Sequence, residues 1–192
     1  MKIYDISQEV FSCRVYPGDP KPEKQTLCTM EKGGLYNLTA FSMCAHNGTH
    51  IDAPFHFLSD GKTVDRMALS TFVGECYVIY HNGDVTAADA ITILQKAQGT
   101  PRILLAGPAT VTAEAAQIFG NAGVCLLGNE SQTVGPEDAP MQVHQILLAN
   151  QVALLEGVVL TDVPEGRYFL SAAPLCLAGA DGAPCRAYLI EK

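Results

Sequence analysis

Residues 46–56, with the sequence HNGTHIDAPFH, contain three of the five histidines in the chain together with an aspartate. The four side chains share even-numbered positions, which are His46, His50, Asp52 and His56. Because alternate side chains of an extended chain point to the same side, one face of this segment would carry every group able to bind a metal or move a proton. Imidazole and carboxylate are the usual protein ligands of zinc, and manganese or iron would accept the same set. The segment therefore predicts a metal site.

An extended conformation is favoured over a helix for this segment. His46 and His50 are four residues apart and would share one face of a helix, as in helical zinc-binding motifs. Gly48 and Pro54, however, both penalise the interior of a helix. Proline also restricts a segment to a sheet edge or a strand end. We therefore predict a strand end that opens into a pocket.

Two later residues could supply further metal ligands. Glu156 interrupts an apolar run over residues 152–160 that predicts a central strand. An ionised carboxylate in such a strand is costly unless it is paired or bound to a cation, although a strand-end position in solvent would explain it equally well. His144 lies on the apolar face of a predicted helix opened by Pro140, where it is either a packed core histidine or a ligand. If both lie near the first segment, Asp52 could bridge two ions, as in two-metal hydrolases.

Three other side chains are candidates for functions other than the main metal ligation. His56 lies beyond the proline, which suits a residue near the metal that stays free to act as general acid or base. Residues 16–20, YPGDP, predict a turn-rich loop, and its leading Tyr16 is a candidate wall of the substrate pocket. Cys44 precedes the first histidine by two residues and could be a soft ligand or an oxidation-prone neighbour, but it ranks below the histidines.

The composition limits the class of protein and its partners. The chain has 192 residues, 48% hydrophobic and 17% charged, which predicts one globular domain over residues 1–192. The net charge of −8 and the scattered distribution of the 12 basic residues argue against a nucleic-acid or anionic-membrane partner. No apolar stretch approaches the ~20 residues of a membrane span, and no signal peptide is visible. The seven cysteines include no Cys-x-x-Cys pair, which favours reduced thiols and a cytoplasmic location.

The patterning of the chain predicts an α/β fold. Strands are expected at residues 3–6, 35–43, 75–80, 102–106, 123–128, 152–160, 166–170 and 186–190. A capping box at residues 86–89 precedes a helix over residues 90–98, and Thr112 precedes a helix that runs to Phe119. The strand–helix–strand unit makes part of the sheet parallel. We therefore predict a single α/β domain with a mixed β-sheet. Nucleophile-elbow, P-loop and dinucleotide-binding motifs are absent from the sequence.

Several motifs together resemble one family. The pattern His-x-Gly-Thr-His-x-Asp-x-Pro-x-His at residues 46–56 is similar to the signature of the cyclase-like metal-dependent hydrolases, which include the bacterial kynurenine formamidases (arylformamidases) and, in the same superfamily, isatin hydrolase. Residues 16–19 are similar to the aromatic-Pro-Gly-Asp loop of that family, with tyrosine where tryptophan is common. Residues 163–166 and 178–187 are similar to its C-terminal segment. The resemblance covers nearly the whole chain.

The resemblance implies specific roles for these residues. It places His46, His50 and Asp52 on one zinc ion, with Asp52 bridging to a second ion that His144 and Glu156 hold. His56 would be the proton donor and acceptor. The implied fold is the swivelling β/β/α type, assembled as a homodimer or homotetramer.

These observations predict a hydrolase of an amide or formamide C–N bond in a small molecule. The metal would supply hydroxide at neutral pH as the nucleophile, and His56 would protonate the departing amine. Two alternatives remain open at this point. One keeps the hydrolase but changes the bond to a cyclic amide such as isatin, or to an ester or lactone. The other is a catalytically silent metal- or ligand-binding protein on the same scaffold.

Overall fold

One large β-sheet forms the centre of the computed structural model, which describes residues 1–191. The strands, in chain order, are β1 (Lys2–Asp5), β2 (Glu23–Cys28), β3 (Leu38–Ser42), β4 (His50–Asp52), β5 (Val73–Tyr80), β6 (Gly83–Val85), β7 (Arg102–Ala106), β8 (Ala109–Val111), β9 (Leu126–Asn129), β10 (Ala153–Glu156), β11 (Gly166–Ser171), β12 (Gly182–Pro184) and β13 (Tyr188–Glu191). The helices are α1 (Leu69–Phe72), α2 (Ala87–Ala97), α3 (Ala113–Asn121) and α4 (Met141–Ala149).

The large sheet contains nine strands in the order β1-β13-β11-β5-β7-β9-β10-β4-β12. Strands β5, β7, β9 and β10 are parallel to one another, and the remaining neighbours pair antiparallel. Strands β2 and β3 form a separate antiparallel pair, and β6 and β8 form a short parallel pair. The predicted α/β fold with a mixed sheet is confirmed.

Both faces of the central strands β7, β9 and β10 are buried, which explains why apolar residues follow one another in these strands rather than alternating with polar ones. In β7, Ile103 and Leu105 pack in the core that contains residues of α2, α3 and α4. Leu104, between them, packs in a second core on the other face together with Ile51 and Phe72. Strand β4 therefore reaches the second core through Ile51, while the residues on either side of Ile51 remain available for the site.

The helix ends follow the capping signals in the sequence. The Thr86 side chain accepts a hydrogen bond from the Asp89 backbone N–H, and the Asp89 carboxylate accepts one from the Thr86 backbone N–H. Thr112 caps α3 in the same way by accepting from the Ala115 N–H. The predicted helices over residues 90–98 and 112–119 are confirmed with boundaries shifted by a few residues.

Two local predictions are wrong in detail. Residues 46–56 do not form one extended run, because only His50–Asp52 is a strand and Pro54–His56 is a turn of 3-10 helix. The strand predicted over residues 152–160 ends at Glu156, because Gly157 adopts a left-handed φ of 67° and turns the chain away.

None of the helices in the described chain has the length and apolar character needed to cross a bilayer. All seven cysteines lie within residues 1–191 and are free thiols.

Candidate metal site

The sheet itself brings three of the predicted residues together. His50 and Asp52 lie on β4, and His50 is the register partner of Glu156, the last residue of the neighbouring strand β10. His144 is added from α4, the helix that precedes β10. All four residues are almost completely buried, between 1% and 2% exposed. Residues far apart in the sequence therefore meet at one end of the sheet, inside the protein.

His50 directs one ring nitrogen at the two carboxylates. Its Nδ1 lies 3.0 Å from the carbonyl oxygen of Gly48, so Nδ1 carries the hydrogen and donates it there. Its Nε2 lies 3.3 Å from Oδ1 of Asp52 and 3.5 Å from Oε2 of Glu156. Burial alone would lower the pKa of His50, but hydrogen bonding with Asp52 and Glu156 raises it to about 10 in the metal-free protein.

His144 is held in the same manner from the opposite side. Its Nδ1 donates to the carbonyl oxygen of Pro140 at 2.9 Å, four residues earlier in the chain. Its Nε2 lies 3.1 Å from Oε1 of Glu156 and 3.5 Å from Oδ2 of Asp52. Burial opposes charging here too, but hydrogen bonding with the carboxylates raises the pKa of His144 to about 10.

His46 has a carboxylate at each ring nitrogen. Its Nδ1 lies 2.8 Å from Oδ1 of Asp52, and its Nε2 lies 2.8 Å from Oδ2 of Asp181. Burial would lower the pKa of His46, but hydrogen bonding with Asp52 and the charge of Asp52 raise it. Asp181 therefore contacts the buried cluster through His46.

Asp52 lies at the centre of the cluster. Burial would raise its pKa, but hydrogen bonds from His144, His46 and His50 hold it well below its usual range, so the group is a carboxylate. The buried Oδ2 of Asp52 has only a long contact, 3.5 Å to Nε2 of His144, beyond the usual length of a hydrogen bond. A buried carboxylate oxygen so weakly satisfied is costly, which indicates that a cation belongs beside it.

The donor set fits a divalent metal. A neutral imidazole has one N–H, and in His50 and His144 that hydrogen is already donated to a backbone carbonyl. The remaining nitrogen of each ring then carries a lone pair, which faces the carboxylate oxygens. Lone pair and carboxylate repel each other unless a proton or a metal cation lies between them. Two sets of three residues each have their ligating atoms within 4.8 Å of one another. One set is His46, Asp52 and His56, and the other is His50, Asp52 and Glu156. Asp52 belongs to both sets, so it could bridge two ions.

His56 lies beside the cluster rather than in its buried centre. Its ring stacks on that of His46, with centroids 4.0 Å apart and planes inclined by 27°. Its Nδ1 lies 3.1 Å from Oδ2 of Asp181, and its side chain is 27% exposed. The turn of 3-10 helix that begins at Pro54 places the ring there. His56 is therefore both close to the candidate ligands and open to solvent.

A cavity of about 230 Å³ opens over the cluster. Its walls combine His56 and the buried ligands with Tyr16, Asp19, Phe57, Gln132, Thr133 and Pro140. The hydroxyl of Tyr16 donates to the carbonyl oxygen of Glu137 at 2.7 Å, which ties the loop predicted over residues 16–20 to the segment that precedes α4. Tyr16 therefore lies in the wall of the cavity, and its contact with a substrate stays a prediction.

Five of the six predicted site residues line one cavity together with Tyr16, and the sixth, Asp52, contacts three of those five. Cys44 lies nearby, with its Sγ 3.7 Å from Oδ2 of Asp19, but it is outside both sets of ligating atoms. Sequence reasoning missed Asp181. Burial would raise the pKa of Asp181, but hydrogen bonding with His46 lowers it, so the group is a carboxylate. Its only local signal is an acidic side chain in the run GADG, which is also typical of an ordinary turn.

Comparison of the sequence with known proteins gives consistent matches. Residues 4–107 match a family model described as "Putative cyclase". The chain is 32% identical over 204 residues to the kynurenine formamidase of Erythrobacter litoralis (strain HTCC2594), a match that covers 99% of this chain and 94% of that protein. It is 36% identical over 203 residues to the kynurenine formamidase of Bacillus cytotoxicus, covering 96% of this chain and 95% of that protein.

Comparison with solved structures agrees with the sequence matches. A structure described as a potential metal-dependent hydrolase with cyclase activity superposes with a TM-score of 0.84 and 30% identity, covering 98% of this chain and 96% of the other. Isatin hydrolase A from Labrenzia aggregata superposes with a TM-score of 0.85 and 19% identity, covering 100% of this chain and 94% of the other. At that identity the second match establishes a shared fold.

Proposed function

Because the chain belongs to the cyclase family, we propose that it is a metal-dependent hydrolase of an amide or formamide C–N bond in a small molecule. The observation that carries the proposal is the buried cluster in which Asp52 and Glu156 face the lone-pair nitrogens of His50 and His144. Full-length relatives described as kynurenine formamidases support an aryl formamide as the substrate.

In this proposal five side chains hold the metal: His46, His50, Asp52, His144 and Glu156. A bound divalent ion would supply hydroxide at neutral pH, by lowering the pKa of water to ~7, and would polarise the scissile carbonyl. Zinc suits the imidazole and carboxylate donors, and manganese or iron would also accept them. Asp52 faces His46 and His50 through Oδ1 and His144 through Oδ2, which supports contact with one ion or two.

His56 is proposed as the general acid and base. An ionised Asp181 accepts the hydrogen of His56 Nδ1, which leaves Nε2 as the nitrogen that exchanges protons. When water adds to the carbonyl and the C–N bond breaks, the departing amine nitrogen needs a proton. His56 borders the cavity and would deliver that proton to the amine, so the products are a free amine and a carboxylic acid.

The cavity walls favour a flat substrate of modest size. Tyr16 and Phe57 supply aromatic surface, and the volume of about 230 Å³ accommodates an aromatic ring with a short acyl group. The hydrogen bond from the Tyr16 hydroxyl to the Glu137 carbonyl fixes the Tyr16 side chain, which could then pack against a substrate ring without a large movement. These features support an N-formyl aromatic amine over a long-chain substrate.

A substrate panel with controlled metal content tests the proposal. Metal-stripped protein is reloaded with zinc or manganese and assayed on N-formyl aromatic amines, cyclic amides, esters and lactones. We expect metal-dependent release of formate from the aryl formamides and loss of that activity in Glu156→Gln. Preferential turnover of cyclic amides or lactones would reassign the bond. A complete lack of metal-dependent turnover across the panel would reject the hydrolase in favour of a metal-binding protein.

We also infer that the chain assembles with a second copy of itself as a homodimer or homotetramer. The β2–β3 hairpin exposes apolar side chains, with Leu27 52% and Phe41 57% exposed. Beside it, Phe11, Phe41 and Leu175 line a groove of about 830 Å³. A two-stranded hairpin alone is only marginally stable, which supports a partner surface over it. Light scattering checks the assembly, and Phe41→Asp is expected to shift it to monomers; a monomeric wild-type chain would reject the inference.

A further inference from the structure

Asp181 connects two histidines through a single oxygen atom. Its Oδ2 lies 2.8 Å from Nε2 of His46 and 3.1 Å from Nδ1 of His56. The two rings stack on each other, with centroids 4.0 Å apart. One carboxylate therefore contacts both a candidate metal ligand and the candidate acid/base.

The backbone around Asp181 is fixed close to the rings. Asp181 precedes the edge strand β12, in which Gly182 is the register partner of Asp52, and its carbonyl oxygen accepts the Ala53 N–H at 2.9 Å. A Cβ atom at Gly182 would lie 2.7 Å from Cε1 of His46, so only glycine lets the strand approach that ring. The pairing of β12 with β4 thus fixes the position of the Asp181 carboxylate.

Hydrogen-bond direction then places one hydrogen on each ring. An ionised carboxylate accepts hydrogen bonds and donates none, so His46 contributes Nε2–H and His56 contributes Nδ1–H to Asp181. Without a metal, Nδ1 of His46 donates to Asp52 in the same way, and a cation that took the place of that hydrogen would meet the Nδ1 lone pair while Nε2–H stayed on Asp181. The free lone pair of His56 is on Nε2. A carboxylate that orients a metal-ligating histidine through its other nitrogen is a recurrent feature of metal sites.

We propose that Asp181 is a positioning residue that sets the ring orientation and tautomer of His46 and His56 together. The roles assigned to those two histidines rest on the proposed function, whereas the hydrogens that Asp181 accepts from Nε2 of His46 and Nδ1 of His56 do not. In this arrangement Asp181 touches neither substrate nor reacting atoms. It makes the nitrogen that binds the ion and the nitrogen that moves the proton available at the same time.

The first test reads the tautomers directly. Long-range proton–nitrogen NMR spectra of the full chain, with and without zinc, are recorded for wild type, Asp181→Ala, Asp181→Asn and the exposed-site control Asp60→Ala. We expect His56 in the Nδ1–H form in wild type, Asp60→Ala and Asp181→Asn, because the amide oxygen can accept the same hydrogens. In Asp181→Ala, His56 is expected to shift to the Nε2–H form that predominates in free imidazole. An unchanged His56 tautomer in Asp181→Ala would overturn the proposal.

The second test measures zinc affinity by chelator competition. Loss of an outer carboxylate that orients a ligand typically weakens metal binding by about 10–100-fold. We expect that loss in Asp181→Ala, a smaller one in Asp181→Asn, and wild-type affinity in Asp60→Ala. If Asp181→Ala instead loses a whole equivalent of zinc while the His56 tautomer stays the same, Asp181 is a ligand and the positioning role is wrong. Neither measurement uses a substrate, so a failed substrate panel leaves this proposal independently testable.

Discussion

Metal binding is expected to expel protons from the buried cluster. In the metal-free protein, hydrogen bonding with Asp52 and Glu156 raises the pKa of both His50 and His144 to about 10. Both rings therefore carry an extra proton at pH 8. Because a metal ion can coordinate only the deprotonated nitrogen, loading the site must displace that proton from each ring.

The number of protons sets the pH dependence of the affinity. Each proton displaced makes the apparent dissociation constant fall by about tenfold per pH unit, as long as the pH stays below the pKa of the group. For loading that deprotonates both His50 and His144, the constant should fall by about 100-fold per unit between pH 7 and 9. His46, whose pKa is also raised, would add to the release.

Isothermal titration calorimetry measures this release directly. Zinc is titrated into metal-free protein at pH 8 in two buffers of different ionisation enthalpy, and the difference in observed heat gives the number of protons. We expect at least two for wild type and one fewer for His144→Gln, which removes one titrating ring. Release of less than one proton from the wild-type protein, or an affinity independent of pH, would refute the assignment of His50 and His144 as paired imidazoliums in the metal-free state.

Three further outcomes are expected. His56→Ala should retain its metal content while kcat falls by about 10²–10⁴-fold, the usual contribution of a general acid or base. His81→Ala is the matched control, and full turnover in His56→Ala would show that His56 is not the acid/base. Metal-free protein should lose thermal stability as the pH rises, because His50 and His144 have folded pKa values of about 10 against 6.5 in the unfolded chain. Their contribution to stability is complete below about pH 6.5 and is lost as the pH rises through about 10. A melting temperature that stays constant over that range would contradict this prediction. Thr86→Ala should lower the free energy of unfolding by ~1 kcal/mol in denaturant titrations by removing the capping box of α2, and should leave metal affinity unchanged.

Much of the fold could be predicted because local signals and tertiary structure agree. The caps at Thr86 and Thr112 predicted where α2 and α3 begin, and the apolar run at residues 103–106 predicted β7. The short strands β6, β8 and β12 have three residues each, too few for a periodic pattern, and only their pairing partners define them.

The site could be predicted where its residues are crowded in the sequence, and not where pairing alone creates it. Three histidines and an aspartate within residues 46–56 were sufficient to predict the cluster, although the even spacing does not reflect one strand. Glu156 could be suspected because a carboxylate at the end of an apolar run needs a partner. Asp181 gave no comparable signal, because its proximity to His46 depends on the pairing of β12 with β4.

The ligands and the cavity walls belong to different parts of the architecture. His50, Asp52 and Glu156 are fixed by paired strands, whereas Tyr16, Gln132 and Pro140 lie outside the regular strands and helices. Substitutions in residues 16–19 can therefore reshape the cavity with the ligands in place. The backbone of Val134 and Pro140 instead supports the ligands directly, because it bonds Glu156 and His144. Such a division makes the scaffold evolvable, since new substrate preferences can arise by changing loops while the metal chemistry is inherited. A laboratory library confined to residues 16–19 would exploit the same separation.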